Sequence, residues 1–246
     1  MSDRKNKIAI VTGASRGIGA AIAERLGRDG FTVIVNYAGN AAMADAVVAK
    51  IEAAGGTALT VKADVADPAA VKKMFDAAET AFGEVDVLIN NAGIMGLSPL
   101  AATDDLDFDK IVSVNLKGTF NTMREAGRRL RDNGRIINFS TSVVGLKLEN
   151  YGVYAATKAA VETLTAIMAK EMRGRNITVN AVAPGPTATD LFLNGKSEEL
   201  VARMAKMSPL ERLGTPEDIA GVVAFLAGPD GAWINGQTLR ANGGII

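Results

Sequence analysis

IAIVTGASRGIG (8–19) joins an apolar run to a glycine loop and passes directly into an amphipathic stretch. IAIV is apolar at every position. It lacks the in/out alternation of a half-exposed strand, so it reads as a strand covered on both faces. Glycine at 13, 17 and 19 lets the backbone turn tightly and approach a ligand. Ser15, Arg16 and Ile18 fill the loop between them. The helix that follows offers free N–H groups and a partial positive charge to a pyrophosphate. The loop lacks the lysine of a P-loop, which argues against an NTPase. Its spacing also differs from G-x-G-x-x-G.

The same alternation continues along the chain. Further strand-like runs are TVIVN (32–36), ALTVKA (58–63), VDVLIN (85–90), RIINFS (135–140), ITVNAVA (177–183) and a last one near GQTLRA (236–241). Helical stretches lie between them, including Asn40–Ala54, Pro68–Phe82 and Pro216–Ala227. Strand and helix repeated in this way give a parallel sheet with right-handed crossovers. The expected fold is one Rossmann-type, doubly wound α/β domain of about seven strands with helices on both faces. With 246 residues and no Pro/Gly/Ser-rich linker, a single domain is expected over 1–246.

Composition removes whole classes of chemistry. The chain has no Cys and no His, so a Ser-His-Asp triad, a cysteine nucleophile and an ordinary zinc site are excluded. Lys plus Arg equals Asp plus Glu at 27 each, which argues against nucleic acid as a partner. No apolar run is long enough for a membrane span, and no apolar signal segment precedes IAIV, so a cytoplasmic location is expected. Proton transfer near neutral pH is left to carboxylates, lysines and the three tyrosines.

YGVYAATK (151–158) supplies the candidates. Tyr154 and Lys158 are four apart, on one face of a helix. A nearby ammonium favours a phenolate and lowers the phenol's pKa, and a cationic nicotinamide ring acts in the same direction. Tyr154 can then protonate a carbonyl oxygen or take a proton from an alcohol.

In doubly wound sheets, ligands bind beyond the carboxyl ends of the strands. The segments there are rich in small hydrogen-bonding residues: TGASRGIG, NNAG (90–93), STSVVG (140–145) and PGPTATD (184–190). Asn91, Ala92 and Gly93 should bring backbone close to a cofactor ribose, with Asn90 bonding between strands. The second strand ends in Asn36-Tyr37, without the carboxylate that grips an unphosphorylated ribose. Arg16 can pair with a 2′-phosphate, with Asn36 and Asn40 as neutral donors. NADP(H) is therefore expected over NAD(H).

T-G-x-x-x-G-x-G, NNAG, the serine/tyrosine/lysine set and PG (184–185) stand in the order and spacing of the short-chain dehydrogenase/reductase family, which the chain resembles from Ile8 to its last strand. The resemblance implies a hydride-transferring oxidoreductase acting on a ketone, aldehyde or alcohol. It implies that Ser142 orients the substrate oxygen, with Ser140 and Thr141 as close competitors. Asn115 would hold a water that connects Lys158 to solvent, and Lys158 would also bond the nicotinamide ribose. Asp64, with Val65 beside it, would contact adenine. Pro184, Gly185, Thr187 and Thr189 would lie near the nicotinamide carboxamide and the pyrophosphate. Relatives assemble as homotetramers or homodimers. A tyrosine seven before the lysine, here Tyr151, resembles enoyl reductases, but Tyr154 and the intact glycine loop place Tyr151 in the pocket wall.

A substrate flap is expected over 186–215. Ile94, Met95, Leu97, Val143, Leu146, Leu148, Leu191 and Phe192 are the expected apolar lining, which suits a substrate with a hydrophobic body. Arg124, Arg128, Arg129 and Arg131 raise the alternative of a 3-oxoacyl-(acyl-carrier-protein) reductase. A dinucleotide sensor without catalysis is the alternative from outside the enzymes.

Overall fold

The computed structural model describes residues 7–246, and the statements that follow concern those residues. Seven parallel strands form one sheet: β1 (Ile8–Val11), β2 (Thr32–Tyr37), β3 (Thr57–Lys62), β4 (Val87–Asn90), β5 (Arg135–Phe139), β6 (Thr178–Pro184) and β7 (Thr238–Ala241), in the order β3-β2-β1-β4-β5-β6-β7. Their connections are α1 (Gly17–Arg28), α2 (Ala41–Ala53), α3 (Pro68–Phe82), α4 (Asp105–Ile111), α5 (Gly118–Arg129), α6 (Val143–Leu146), α7 (Gly152–Glu171), α8 (Asp190–Leu193), α9 (Glu198–Lys206) and α10 (Pro216–Ala227). The doubly wound single domain expected from sequence is the observed one.

β1 shows why its run is apolar throughout. Ala9 and Val11 pack with Ile22, Leu26, Val47, Ile51 and Val223 of α1, α2 and α10. Ile8 and Ile10 face the opposite layer, with Val71, Met74 and Phe75 of α3 and Met123 of α5. Each face thus builds its own core, and every β1 side chain is buried.

Local chemistry starts the helices where the sequence marks them. Pro68 opens α3 behind Asp67, whose side chain accepts the Ala69 N–H at 2.8 Å. Pro216 opens α10 behind a reciprocal capping box between Thr215 and Asp218. Between α4 and α5 the chain widens into π-helical turns over Val112–Lys117, an irregularity that recurs at functional sites.

The strand order reverses between β1 and β4, so a crevice opens beyond their carboxyl ends. A buried polar chain fixes the sheet beside it. Thr122 donates to Asn90 Oδ1 at 2.6 Å, Asn90 to Asn138 Oδ1 at 2.8 Å, and Asn138 to Thr165 Oγ1 at 2.8 Å. Asn90 is thus the inter-strand link expected of it. No helix among the described residues is long and apolar enough to cross a membrane.

Candidate active site

The crevice is a cleft of about 630 Å³ walled by the glycine loop, the end of β2, Asp64, Val65 and the NNAG segment. Gly13 and Gly17 take φ of +62° and +55°, which favour glycine. A Cβ on Gly13 would stand 2.9 Å from Ala92 Cα, so NNAG can close on the loop only because residue 13 has no side chain. The closure is hydrogen-bonded: Asn91 donates to Thr12 O at 2.9 Å and Gly13 O at 3.1 Å, and the Ala92 N–H reaches Thr12 Oγ1 at 3.0 Å.

The cleft fits a dinucleotide. Its floor passes Gly17 and then Gly93, where a Cβ would lie 3.3 Å from Asn115 Oδ1 and 3.5 Å from Lys158 Nζ. Arg16 caps α1 in an extended conformation, is exposed, and lines the adenosine end with Tyr37 and Asn40. No carboxylate among the described side chains lies within ion-pair reach of it. Asn40 lines the cleft and caps α2 through its Oδ1, which accepts the Met43 N–H at 3.1 Å.

Asn36 has a different job from the donor role expected of it. Its Oδ1 accepts the Gly13 N–H at 3.2 Å, and its Nδ2 donates to Val61 O at 3.2 Å and Ala63 O at 3.0 Å. The side chain is 1% exposed, and its donors are spent on holding β3 and the glycine loop together. It shapes the cleft and has no donor left for a phosphate.

A second pocket of about 140 Å³ shares Ile18, Asn91, Gly93, Thr189 and Leu191 with the cleft and opens into it. Tyr154, Lys158, Thr141 and Ser142 line it together with Pro184, Gly185, Thr187 and Thr189, and the Ser142 N–H bonds Pro184 O at 2.9 Å. α7 delivers Tyr154 and Lys158 one turn apart, with Lys158 Nζ 5.9 Å from the Tyr154 ring centre. Lys158 is 3% exposed and donates to Phe139 O at 2.9 Å. Asn115, in the π-helical turns, is fully buried. Its amide pairs in both directions with the Ile94 backbone, at 2.8 and 2.9 Å, and props the loop beside Lys158.

Electrostatics modifies the expectation for the tyrosine. Burial pushes the Tyr154 phenol up to about 12; the Thr141 hydroxyl pulls the other way, and Tyr151 adds to the rise. Burial also brings the Lys158 amine down to about 8. In the protein alone, desolvation dominates, and Tyr154 is held as a protonated acid.

The three candidate hydroxyls have different partners. Ser142 lines the pocket, and its hydroxyl donates to Ala183 O at 3.3 Å and accepts the Asn242 amide at 3.0 Å. Thr141 lines the pocket with Tyr154, and its Oγ1 accepts the Val143 N–H at 3.3 Å. Ser140 is turned away, donating to Glu162 at 2.5 Å.

Leu97, expected in the apolar lining, is 44% exposed and outside the pocket, and Ile94 lines the cofactor cleft instead. Met95, Val143, Leu146, Leu148, Leu191 and Phe192 do line the pocket. Met204 and Met207 from the 186–215 segment and Ile245 join them, a contribution the sequence reading missed. Asn242 was missed too. It follows β7, and extending the strand-end rule to the last strand would have found it. The 186–215 segment is rooted by a bridge between Thr187 and Gly214, with the Ala188 N–H on Gly214 O and the Gly214 N–H on Pro186 O, both at 2.9 Å.

The arginine cluster is largely neutralised. Arg129 meets Asp76 and Glu79 at 2.7 Å, Arg131 meets Glu84 at 3.3 Å, and Arg128 meets Glu125 at 3.6 Å. Arg124 lies over the Phe120 ring.

Residues 13–246 match a family model described as enoyl-(acyl carrier protein) reductase. A short-chain type dehydrogenase/reductase of Picea abies is 47% identical over 250 residues, covering 98% of this chain and 92% of that protein. An NADPH-dependent aldehyde reductase-like protein, chloroplastic, of Arabidopsis thaliana is 45% identical, covering 98% and 94%. The crystal structure of a short chain dehydrogenase from Burkholderia cenocepacia in complex with NADP superimposes with a TM-score of 0.92 at 39% identity, covering 99% of both chains.

Proposed function

The chain belongs to the short-chain dehydrogenase/reductase family, and on that footing we propose that it is an NADP(H)-dependent oxidoreductase that interconverts a ketone or aldehyde and an alcohol, with Tyr154 as general acid and base. One observation carries the reading: Tyr154, Thr141 and Lys158 line a pocket that opens into a dinucleotide-shaped cleft. The NADP-bound relative and the NADPH-dependent reductase relatives support the cofactor, and Arg16 is the cation that would meet its 2′-phosphate. Thr189 and Gly185 would bound its nicotinamide end, and Asp64 its adenine.

The bound nicotinamide supplies the hydride in reduction and accepts it in oxidation. The protein handles the proton. Thr141 donates to the substrate oxygen and fixes it against Tyr154. Tyr154 Oη then gives up its proton as charge builds on that oxygen. Lys158 Nζ, cationic below about pH 8, lowers the cost of the phenolate left behind. Met95, Leu146, Leu148 and Phe192 exclude water and favour an apolar substrate body.

NADPH consumption against a panel of ketones and aldehydes tests the reading. Cofactor binding with no turnover of any of them would instead indicate a sensor. The description of the matching family model and the seven-residue spacing of Tyr151 and Lys158 favour a second reading, reduction of a C=C bond next to a thioester carbonyl. Faster turnover of a crotonyl thioester than of any ketone would select it. Phe120 on α5 and Ile167 on α7 are 45% and 48% exposed, and Trp233 is 97% exposed. These surfaces support a homo-oligomer, a tetramer by analogy with relatives, which sedimentation would test.

A further inference from the structure

Tyr151 immediately precedes α7 and lies one helical turn before Tyr154. It is 9% exposed and lines the substrate pocket. Its ring stands edge-on to Tyr154, with centres 6.4 Å apart and planes at 62°. Its hydroxyl has no hydrogen-bond partner among the described residues and is not among the atoms sealed from solvent, so it opens on the pocket. The neighbouring wall is Val143, Leu146, Leu148 and Met95, which offer no side-chain acceptor beyond a weak thioether. Burial pushes the phenol up, so it remains a protonated donor. A ligand that displaces water from this wall must bring an acceptor of its own, or leave the donor unpaired.

The placement narrows where that acceptor sits. The edge-on packing and the one-turn spacing put both phenols on the same wall. Their ring centres are 6.4 Å apart, and both residues line the same pocket. They therefore serve neighbouring atoms of one small molecule. We propose that Tyr151 is a second oxygen-recognition group, and that the preferred substrates carry an oxygen on the carbon next to the reacting carbonyl, as α-dicarbonyl or α-hydroxycarbonyl compounds do. Tyr151 holds the adjacent oxygen while Tyr154 and Thr141 hold the reacting one. This assignment rests on the carbonyl-reductase reading above.

The test compares hexane-2,3-dione with hexan-2-one in the NADPH-loaded wild-type protein and in Tyr151→Phe, a change that deletes one oxygen atom. The ratio of the two kcat/KM values is read within each protein, so the higher intrinsic reactivity of the dione cancels between them. NADPH titration of the variant confirms that it is folded. The expected result is a fall of about 10-fold in the ratio, the equivalent of one buried hydrogen bond. A ratio within two-fold of wild type overturns the oxygen site. Tyr154→Phe separates this failure from failure of the underlying reading. Loss of both turnovers in that variant keeps the carbonyl mechanism whatever Tyr151 does, whereas full turnover of both removes the mechanism and the Tyr151 assignment with it.

Discussion

Asn242 donates its side-chain amide to Ser142 Oγ at 3.0 Å, across 100 residues of chain. That bond ties the end of β7 to the loop after β5, where Thr141 and Ser142 both line the pocket. Thr141→Ala should lower kcat by about 100-fold, as loss of a donor to the reacting oxygen does elsewhere. Thr141→Ser should restore most of it, and Ser142→Ala should cost far less. Steady-state kinetics on the three variants decides the assignment, and a larger effect at Ser142 would reverse it.

Removing the phenol oxygen in Tyr154→Phe should cut kcat/KM by about 1,000-fold, within the range of general acid catalysis. NADPH affinity, read by fluorescence titration, should change little. Turnover close to wild type would remove Tyr154 from the chemistry.

Arg16 is exposed on the cleft wall, with no carboxylate partner among the described residues. Arg16→Ala should raise the KM for NADPH by about 10- to 100-fold, the scale of a charge-assisted hydrogen bond. The KM for NADH should move much less. Equal effects on both cofactors would show that Arg16 does not read the 2′-phosphate.

Asn36→Asp is an obvious route to NAD(H) preference, and the structure predicts a penalty for it. The new carboxylate would face the Val61 and Ala63 carbonyls in place of the amide that now donates to both. Stability should fall by about 2–4 kcal/mol, readable in urea unfolding. A variant as stable as wild type would mean that the β2–β3 clamp relaxes freely.

Lys158 adds a pH signature. Its amine titrates near 8 when folded and at the ordinary 10.5 when unfolded. Below pH 8 both states carry the proton, and burial of the cation costs stability. Between pH 8 and 10.5 the unfolded chain holds more protons, so the stability of the wild type rises with pH, by up to about 3 kcal/mol from this group. Lys158→Met should lack that rise. Parallel unfolding curves at pH 7 and 9.5 would show it as a changing gap between the two proteins.

What the sequence disclosed followed local rules. The all-apolar IAIV run implied a strand with two covered faces, and both faces are built as expected. Pro68 and Pro216 marked helix starts because a proline fits the first turn and little else in a helix. The spacing of Tyr154 and Lys158 was legible because a helix fixes which residues are neighbours. The orientation of short polar side chains was not. Ser142 and Ser140 stand two apart in sequence, and their partners, Asn242 and Glu162, are set by tertiary packing. Asn36 looked like a free donor because Val61 and Ala63 come next to it only when β2 and β3 pair. The expected fall in the Tyr154 pKa assumed that the amine would outweigh burial, a balance that depends on solvent exclusion across the whole pocket.

The Thr187–Gly214 bridge makes the intervening chain a cassette on a fixed stem. Pocket-lining positions within it, Met204 and Met207 among them, lie outside the sheet and can change while Thr189 stays in the cofactor cleft and Ser208 keeps its bond to Gly243 O. Diversity in what is reduced can therefore accumulate in this one insert while the chemistry stays constant.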